Sequence, residues 1–191
     1  MKKLFFHIGC HKTGTTFLQK NIHDNRERLL NSGLYYADYN TVGVKVIKRL
    51  RFPPSHHHFA RSIIGKDRVL GEAEMEALIA HWEAFSLSKN IDAIMLSAES
   101  CSIHKEDISL PLIQMRERYF YKCKQKLENF DVIPILILRA PDEYARSFFE
   151  EKVLKGFGKE LDFSKFITSL IKFKKVKLNL FCISFAFSSG K

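Results

Sequence analysis

The chain has 191 residues, 46% of them hydrophobic and 27% charged, a globular composition that excludes a disordered, collagen-like or coiled-coil polypeptide. At roughly 100–200 residues per domain, that length predicts a single domain over residues 1–191 with its own core. Lys and Arg number 31 against 21 Asp and Glu, a net charge of +10. Such a charge suits nucleic acid, acidic polysaccharide, a membrane surface or a small anion without choosing among them.

The four cysteines, Cys10, Cys101, Cys123 and Cys182, form no C-x-x-C pair. Neither a disulfide framework nor a zinc site is expected, and a reducing compartment fits. The opening Met1-Lys2-Lys3-Leu4-Phe5-Phe6 is broken at His7, well short of the roughly 7–15 apolar residues of a secretory leader. The late apolar run Leu178 to Phe187 is about half the roughly 20 residues of a membrane span. The expected location is cytoplasmic, with no stable membrane anchor.

In chain order, Leu4 to Ile8 is short and mostly apolar and stops at Gly9, the pattern of a strand buried on both faces. Thr15 to Asn31 carries Leu18, Ile22 and Leu29 at near-helical spacing, with Ser32-Gly33 as a stop. Tyr39 to Lys66, with Pro53-Pro54 and His56-His57-His58, reads as an irregular insertion. A second helix is predicted from Glu72 to Ser88, with Met75, Leu78, Ile79, Trp82 and Phe85 on one face, and a second buried strand from Ile91 to Leu96. A third amphipathic helix spans Leu112 to Asn129, and a third apolar strand Val132 to Leu138. Alternating apolar strands and amphipathic helices predict a three-layer α/β domain, with a mostly parallel sheet flanked by helices in a P-loop NTPase-like arrangement. Ligands then bind beyond the carboxyl ends of the strands.

At the first strand end stands Gly9-Cys10-His11-Lys12-Thr13-Gly14-Thr15-Thr16. Glycines at this spacing let the backbone curl so that N–H groups and a helix N-terminus converge on an anion. A nucleotide triphosphatase ends such a loop in G-K-[ST]; here Thr15 replaces that lysine and Lys12 sits mid-loop. The run Phe6 to Gln19 resembles the 5′-phosphosulfate loop of sulfotransferases that use 3′-phosphoadenosine 5′-phosphosulfate (PAPS), in particular the bacterial-type branch reading K-T-G-T-T. The resemblance implies that Lys12, Thr15 and Thr16, with Gly9, His11, Thr13 and Gly14 of the same loop, hold the 5′-phosphosulfate. His11 departs from the family's usual proline.

The third strand exits through Arg139-Ala140-Pro141-Asp142-Glu143-Tyr144-Ala145-Arg146-Ser147. Pro141 suits a first helical turn and Asp142-Glu143 its positive end, leaving Arg139 at the sheet edge and Ser147 on the second turn. A guanidinium fork and a hydroxyl so placed can hold a phosphate. The pattern resembles the family's 3′-phosphate site, with Arg139 and Ser147 as its ligands. The same arginine disfavours a magnesium-dependent NTPase, which usually places an acid at a strand end, so no metal is expected.

The second strand leads into Ser97-Ala98-Glu99-Ser100. Glu99 is the candidate base for an acceptor proton, with an acidic cap on the following turn as the other reading and His104 as the alternative base. The histidine run has no ligand spacing to a cysteine or carboxylate. His7, Cys10 and His11 read as core packing or loop solvation, and Arg116, Arg118, Lys124 and Lys126 as a solvated helix face that can steer an anionic acceptor.

Taken with the resemblance, the expected activity is sulfuryl transfer from PAPS to a hydroxyl or amine of a carbohydrate or small-molecule acceptor, Lys12 and Glu99 being catalytic, with no nucleic-acid partner. The alternatives are a P-loop kinase or NTPase and a non-catalytic basic anion-binding module. After Asp162 the sequence contains no acidic residue, and residues 163–191 form an atypical tail. Either Leu178 to Phe187 is a fourth parallel strand, or, as favoured here, the natural frame is lost after Asp162; the chain is then an incomplete domain of weak or absent activity.

Overall fold

The computed structural model describes residues 1–8, 14–40, 55–67, 69–99, 112–137, 140–156 and 162–172. Four strands, β1 (Lys2–His7), β2 (Leu34–Tyr36), β3 (Ala93–Ser97) and β4 (Phe130–Ile135), form one sheet in the order β2-β3-β1-β4. All pairings are parallel, with His7 beside Ser97 and Ile135 in register. The predicted three-layer α/β architecture is therefore present. The predicted strands recur with their ends shifted by one to three residues. Pro134 sits within β4, an edge strand among the described residues; Ile135 bonds to β1 through its carbonyl and the Ile8 N–H, so the position without an N–H faces away from the ladder.

The first connection runs from β1 through α1 (Thr15–Asp24) and α2 (Arg26–Asn31) to β2. One continuous helix was expected over 15–31; the break lies at Asn25, whose side-chain amide and backbone N–H both bond to the Asn21 carbonyl and so close α1. Gly33 stops α2 in a left-handed conformation, φ 81°, and a Cβ there would meet the Asp92 carboxylate at 2.5 Å. That position combines a backbone demand with a close approach, so glycine fits both.

The second connection holds α3 (His57–Ser62) and α4 (Glu72–Ser88), the latter with the boundaries expected. β2 and α3 had no counterpart among the predicted elements, because three residues of strand and six of helix are too short to show a period. Here tertiary contacts supply the stability. Trp82 donates to the Asp38 carbonyl at 2.8 Å, and Tyr119 to that of Ala60 at 3.0 Å.

α5 (Leu112–Lys126) connects β3 to β4. On it Arg116 departs from expectation: it is buried rather than solvated. A helix advances 100° per residue, so Arg116 shares the inward stripe of Tyr119, Phe120 and Cys123. Lys126 instead reaches Glu72 at 2.7 Å and Glu76 at 3.1 Å on α4, an exposed cross-link.

α6 (Pro141–Leu154) begins as its sequence predicts, with Pro141 in the first turn and Asp142 and Glu143 at the positive end. α7 (Phe163–Lys172) takes up the first part of the tail, and its Phe166 packs on Phe148 and Phe149 of α6. The proposed strand 178–187 lies outside the described residues.

Alternate residues of each strand point to opposite faces. Leu4, Phe6 and Ile8 of the first strand, with Ile94 and Leu96 of β3, join Phe59, Leu78, Trp82, Tyr119 and Leu127 in the main core. The opposite face carries Phe5 and His7, Met95 and Ser97, and Tyr36, and receives α1. Because the chain leaves β1 towards β2 and leaves β3 towards β4, the connections diverge at the carboxyl ends of β1 and β3. Such a divergence is where open parallel sheets form ligand crevices.

Candidate active site at the carboxyl ends of β1 and β3

Gly14 caps α1 with a φ of 77°, a left-handed conformation that costs a side-chain-bearing residue about 1–2 kcal/mol. Thr15 begins the helix on its buried side, and its hydroxyl donates to the Glu99 carboxylate. Glu99 lies just past β3 and is buried. Two residues expected to act in one site are thus in direct contact, one from the glycine loop and one from the neighbouring strand. Thr16 is exposed at the same helix start.

Beneath this pair lies a polar layer that sequence reasoning did not assign to the site. Gln19, one turn beyond Thr15, donates to the Ser97 hydroxyl at 3.0 Å, and His7 Nδ1 meets the same hydroxyl at 2.8 Å. The Tyr36 phenol also hydrogen-bonds Ser97. All four side chains are buried. Burial holds the His7 imidazole below its usual range, an effect the Glu99 carboxylate opposes. Burial likewise pushes the Tyr36 phenol upward, countered in part by Ser97. The ring therefore stays neutral near pH 7 and the phenol keeps its proton.

A signal for these residues existed. His7 and Ser97 are polar residues that follow the apolar runs of β1 and β3, and Gln19 follows Thr15 by one helical repeat. Convergence on one hydroxyl required knowing that β1 and β3 are neighbours. His7, read as packing or solvation, is a core residue whose Nδ1 is engaged.

Ser147 stands on the second turn of α6 as expected, half-buried, and among the described residues no hydrogen bond links it to Thr15 or Glu99. Gly9, His11, Lys12, Thr13, Arg139 and the reserve base His104 lie outside the described residues.

The histidine run serves the fold. His56 is buried with Nε2 donating to the Ala37 carbonyl and Nδ1 accepting the Ser97 N–H, each at 2.9 Å. Desolvation pushes it down to about 4, so the neutral ring braces the exit of β2 against β3. His58 pairs with Asp67 at 2.9 Å, and Asp67 also accepts the N–H groups of Val69 and Leu70. Among the described residues there is no group of three or more His, Cys, Asp or Glu arranged to hold a metal ion, and no helix long and apolar enough to cross a membrane.

Fold and site together define a parallel α/β protein with a hydroxyl–carboxylate pair over a buried polar layer at the divergence of its connections. No family model, curated protein or solved structure matches the chain.

Proposed function

We propose that the protein transfers a sulfuryl group from PAPS to a hydroxyl or amine of a carbohydrate or small-molecule acceptor. The observation that carries the reading is the Thr15–Glu99 contact, which places a carboxylate against the first turn of the helix that follows the K-T-G-T-T loop. In this reaction Glu99 takes the acceptor's proton while the acceptor oxygen or nitrogen forms a bond to sulfur. The bond from sulfur to the oxygen bridging phosphorus breaks in line, leaving 3′-phosphoadenosine 5′-phosphate. Lys12 and the loop N–H groups neutralise charge developing on that oxygen. Arg139 and Ser147 hold the 3′-phosphate and keep the nucleotide in register.

One observation favours a second reading. One of the two neighbours of β1 in the sheet is β3, which leads into Glu99, so an acid stands beside Thr15 whatever follows β4. A loop hydroxyl and a strand-end acid are the pair through which P-loop NTPases hold magnesium. Against it, Thr15 occupies the position where such enzymes carry their phosphate-binding lysine.

Binding calorimetry with 3′-phosphoadenosine 5′-phosphate, AMP and ATP with magnesium separates the readings. The sulfotransferase reading expects preference for the 3′-phosphorylated nucleotide without magnesium. It also expects that preference to fall at least tenfold in Arg139→Ala, since a charged hydrogen bond is worth about 1.5–3 kcal/mol. Magnesium-dependent ATP binding with no such preference assigns the site to phosphoryl transfer. Salt-sensitive binding of polyanions with neither nucleotide preference assigns a basic binding module.

A further inference from the structure

Ser97 Oγ has one proton and two lone pairs, and three groups converge on it. The Gln19 amide donates. The Tyr36 phenol is a further hydrogen-bond partner of that hydroxyl. With the Ser97 proton directed to His7 Nδ1, the His7 ring is the tautomer with hydrogen on Nε2. That Nε2 is completely buried and has no hydrogen-bond partner among the described residues. Leaving such a group unsatisfied costs about 1–3 kcal/mol, and buried polar groups left in this way call for an explanation.

The location supplies one. His7 ends β1 immediately before the glycine loop, on the sheet face that carries α1. Its ring is close enough to Glu99 for the carboxylate to act on it electrostatically. Three fixed partners on one hydroxyl give the ring little freedom to turn away. With its proton on Nε2, the ring is a donor held in advance at a buried position, where charge on an incoming oxygen is stabilised without reorganisation.

We propose that His7 carries its proton on Nε2 and that this N–H is a further donor of the active site, bonding an oxygen of the transferred sulfuryl group, with Gln19, Ser97 and Tyr36 as the positioning residues that aim it. This rests on the sulfuryl-transfer reading above. It separates the nucleotide, held by the loop and the 3′-phosphate site, from the transferred group, held in addition by His7.

The test is nitrogen-15 NMR of the histidine side chains in the full chain. Inorganic sulfate, added after saturation with 3′-phosphoadenosine 5′-phosphate, stands in for the transferred group. The Nε2-protonated tautomer is expected for His7. Its Nε2 signal is expected to move when sulfate joins the nucleotide and to stay in place with nucleotide alone, while His56, bonded on both nitrogens to backbone, does not respond. In parallel, His7→Asn retains an amide at the Nδ1 position for Ser97 and removes the Nε2 donor. It should lower kcat about a hundredfold, the usual loss for one such donor, and leave the Kd for 3′-phosphoadenosine 5′-phosphate within about twofold, since the role assigned to His7 is confined to the transferred group. A chain that binds no 3′-phosphorylated nucleotide overturns the functional reading and this inference with it. A chain that binds the nucleotide normally but shows the other His7 tautomer, or a silent His7 on adding sulfate, overturns the inference alone.

Discussion

The two faces of the central sheet are built from the same three strands to opposite ends. On one, Leu4, Phe6, Ile94 and Leu96 meet Phe59, Leu78, Trp82 and Tyr119 in an apolar layer. On the other, His7, Ser97 and Tyr36 meet Gln19 and Thr15 of α1 in a hydrogen-bonded one. Both are dry. Burying apolar surface is favourable at each contact and indifferent to direction. A polar layer gains little net stability per bond, but every member must be aimed. The first face holds the domain together, and the second fixes the geometry of the Thr15–Glu99 pair.

If that division is right, substitutions on the two faces should fail differently. The largest loss of stability is expected for Trp82→Ala, which empties a fully buried site ringed by Phe59 and His56. A cost of about 3–5 kcal/mol is usual for such truncation, measurable by urea denaturation. A loss below about 1 kcal/mol would place the stabilising core elsewhere.

Acid should act next, through His56. The ring titrates near 6.5 when unfolded and near 4 when folded, so the unfolded chain holds the extra proton between those values. Stability is complete above about pH 6.5, falls as pH drops towards 4, and then levels, a total loss on the order of 3 kcal/mol. His7, also lowered by burial, adds in the same direction. Denaturation midpoints taken between pH 7 and pH 4 test this, and a clearly shallower profile in His56→Gln would assign most of the slope to His56.

Smaller still is the effect expected on stability from Ser97→Ala, which strips the common partner from His7, Gln19 and Tyr36. About 1–3 kcal/mol is expected, together with a fall in turnover larger than stability alone explains, because the Thr15–Glu99 pair loses its support. Unchanged turnover at full folding would show that the polar layer is only structural. The smallest effect belongs to Leu87→Gln on the outer side of α4, a residue 62% exposed. Its thermal midpoint should barely move, the change in stability staying within about 0.5 kcal/mol.

Much of this was legible before any coordinates. The α4 boundaries, the Pro141 start of α6 and the alternation of strands and helices follow from local period and capping, which act over a few residues. The one long helix over 15–31 was misread because its apolar residues keep a helical spacing across Asn25, whereas the break depends on where α1 must end to reach β2. Arg116 was misread for a related reason: residue type predicts solvent exposure, but the stripe it occupies is set by the packing of α5.

By itself the sequence determined the local frame of the site: a glycine turn before a helix, a carboxylate after an apolar strand, and a proline-started helix carrying Ser147. Each is encoded by neighbours a turn or a strand apart. Only the tertiary structure decided that β3 lies beside β1. That placement brings Thr15 to Glu99 across 84 residues and His7 to Ser97 across 90. Such pairings depend on strand order and register, and a one-residue slip would turn His7 and Ser97 to the opposite face. The polar layer beneath the site is thus a property of the assembled sheet, whose order depends on the crossovers and the core they bury together.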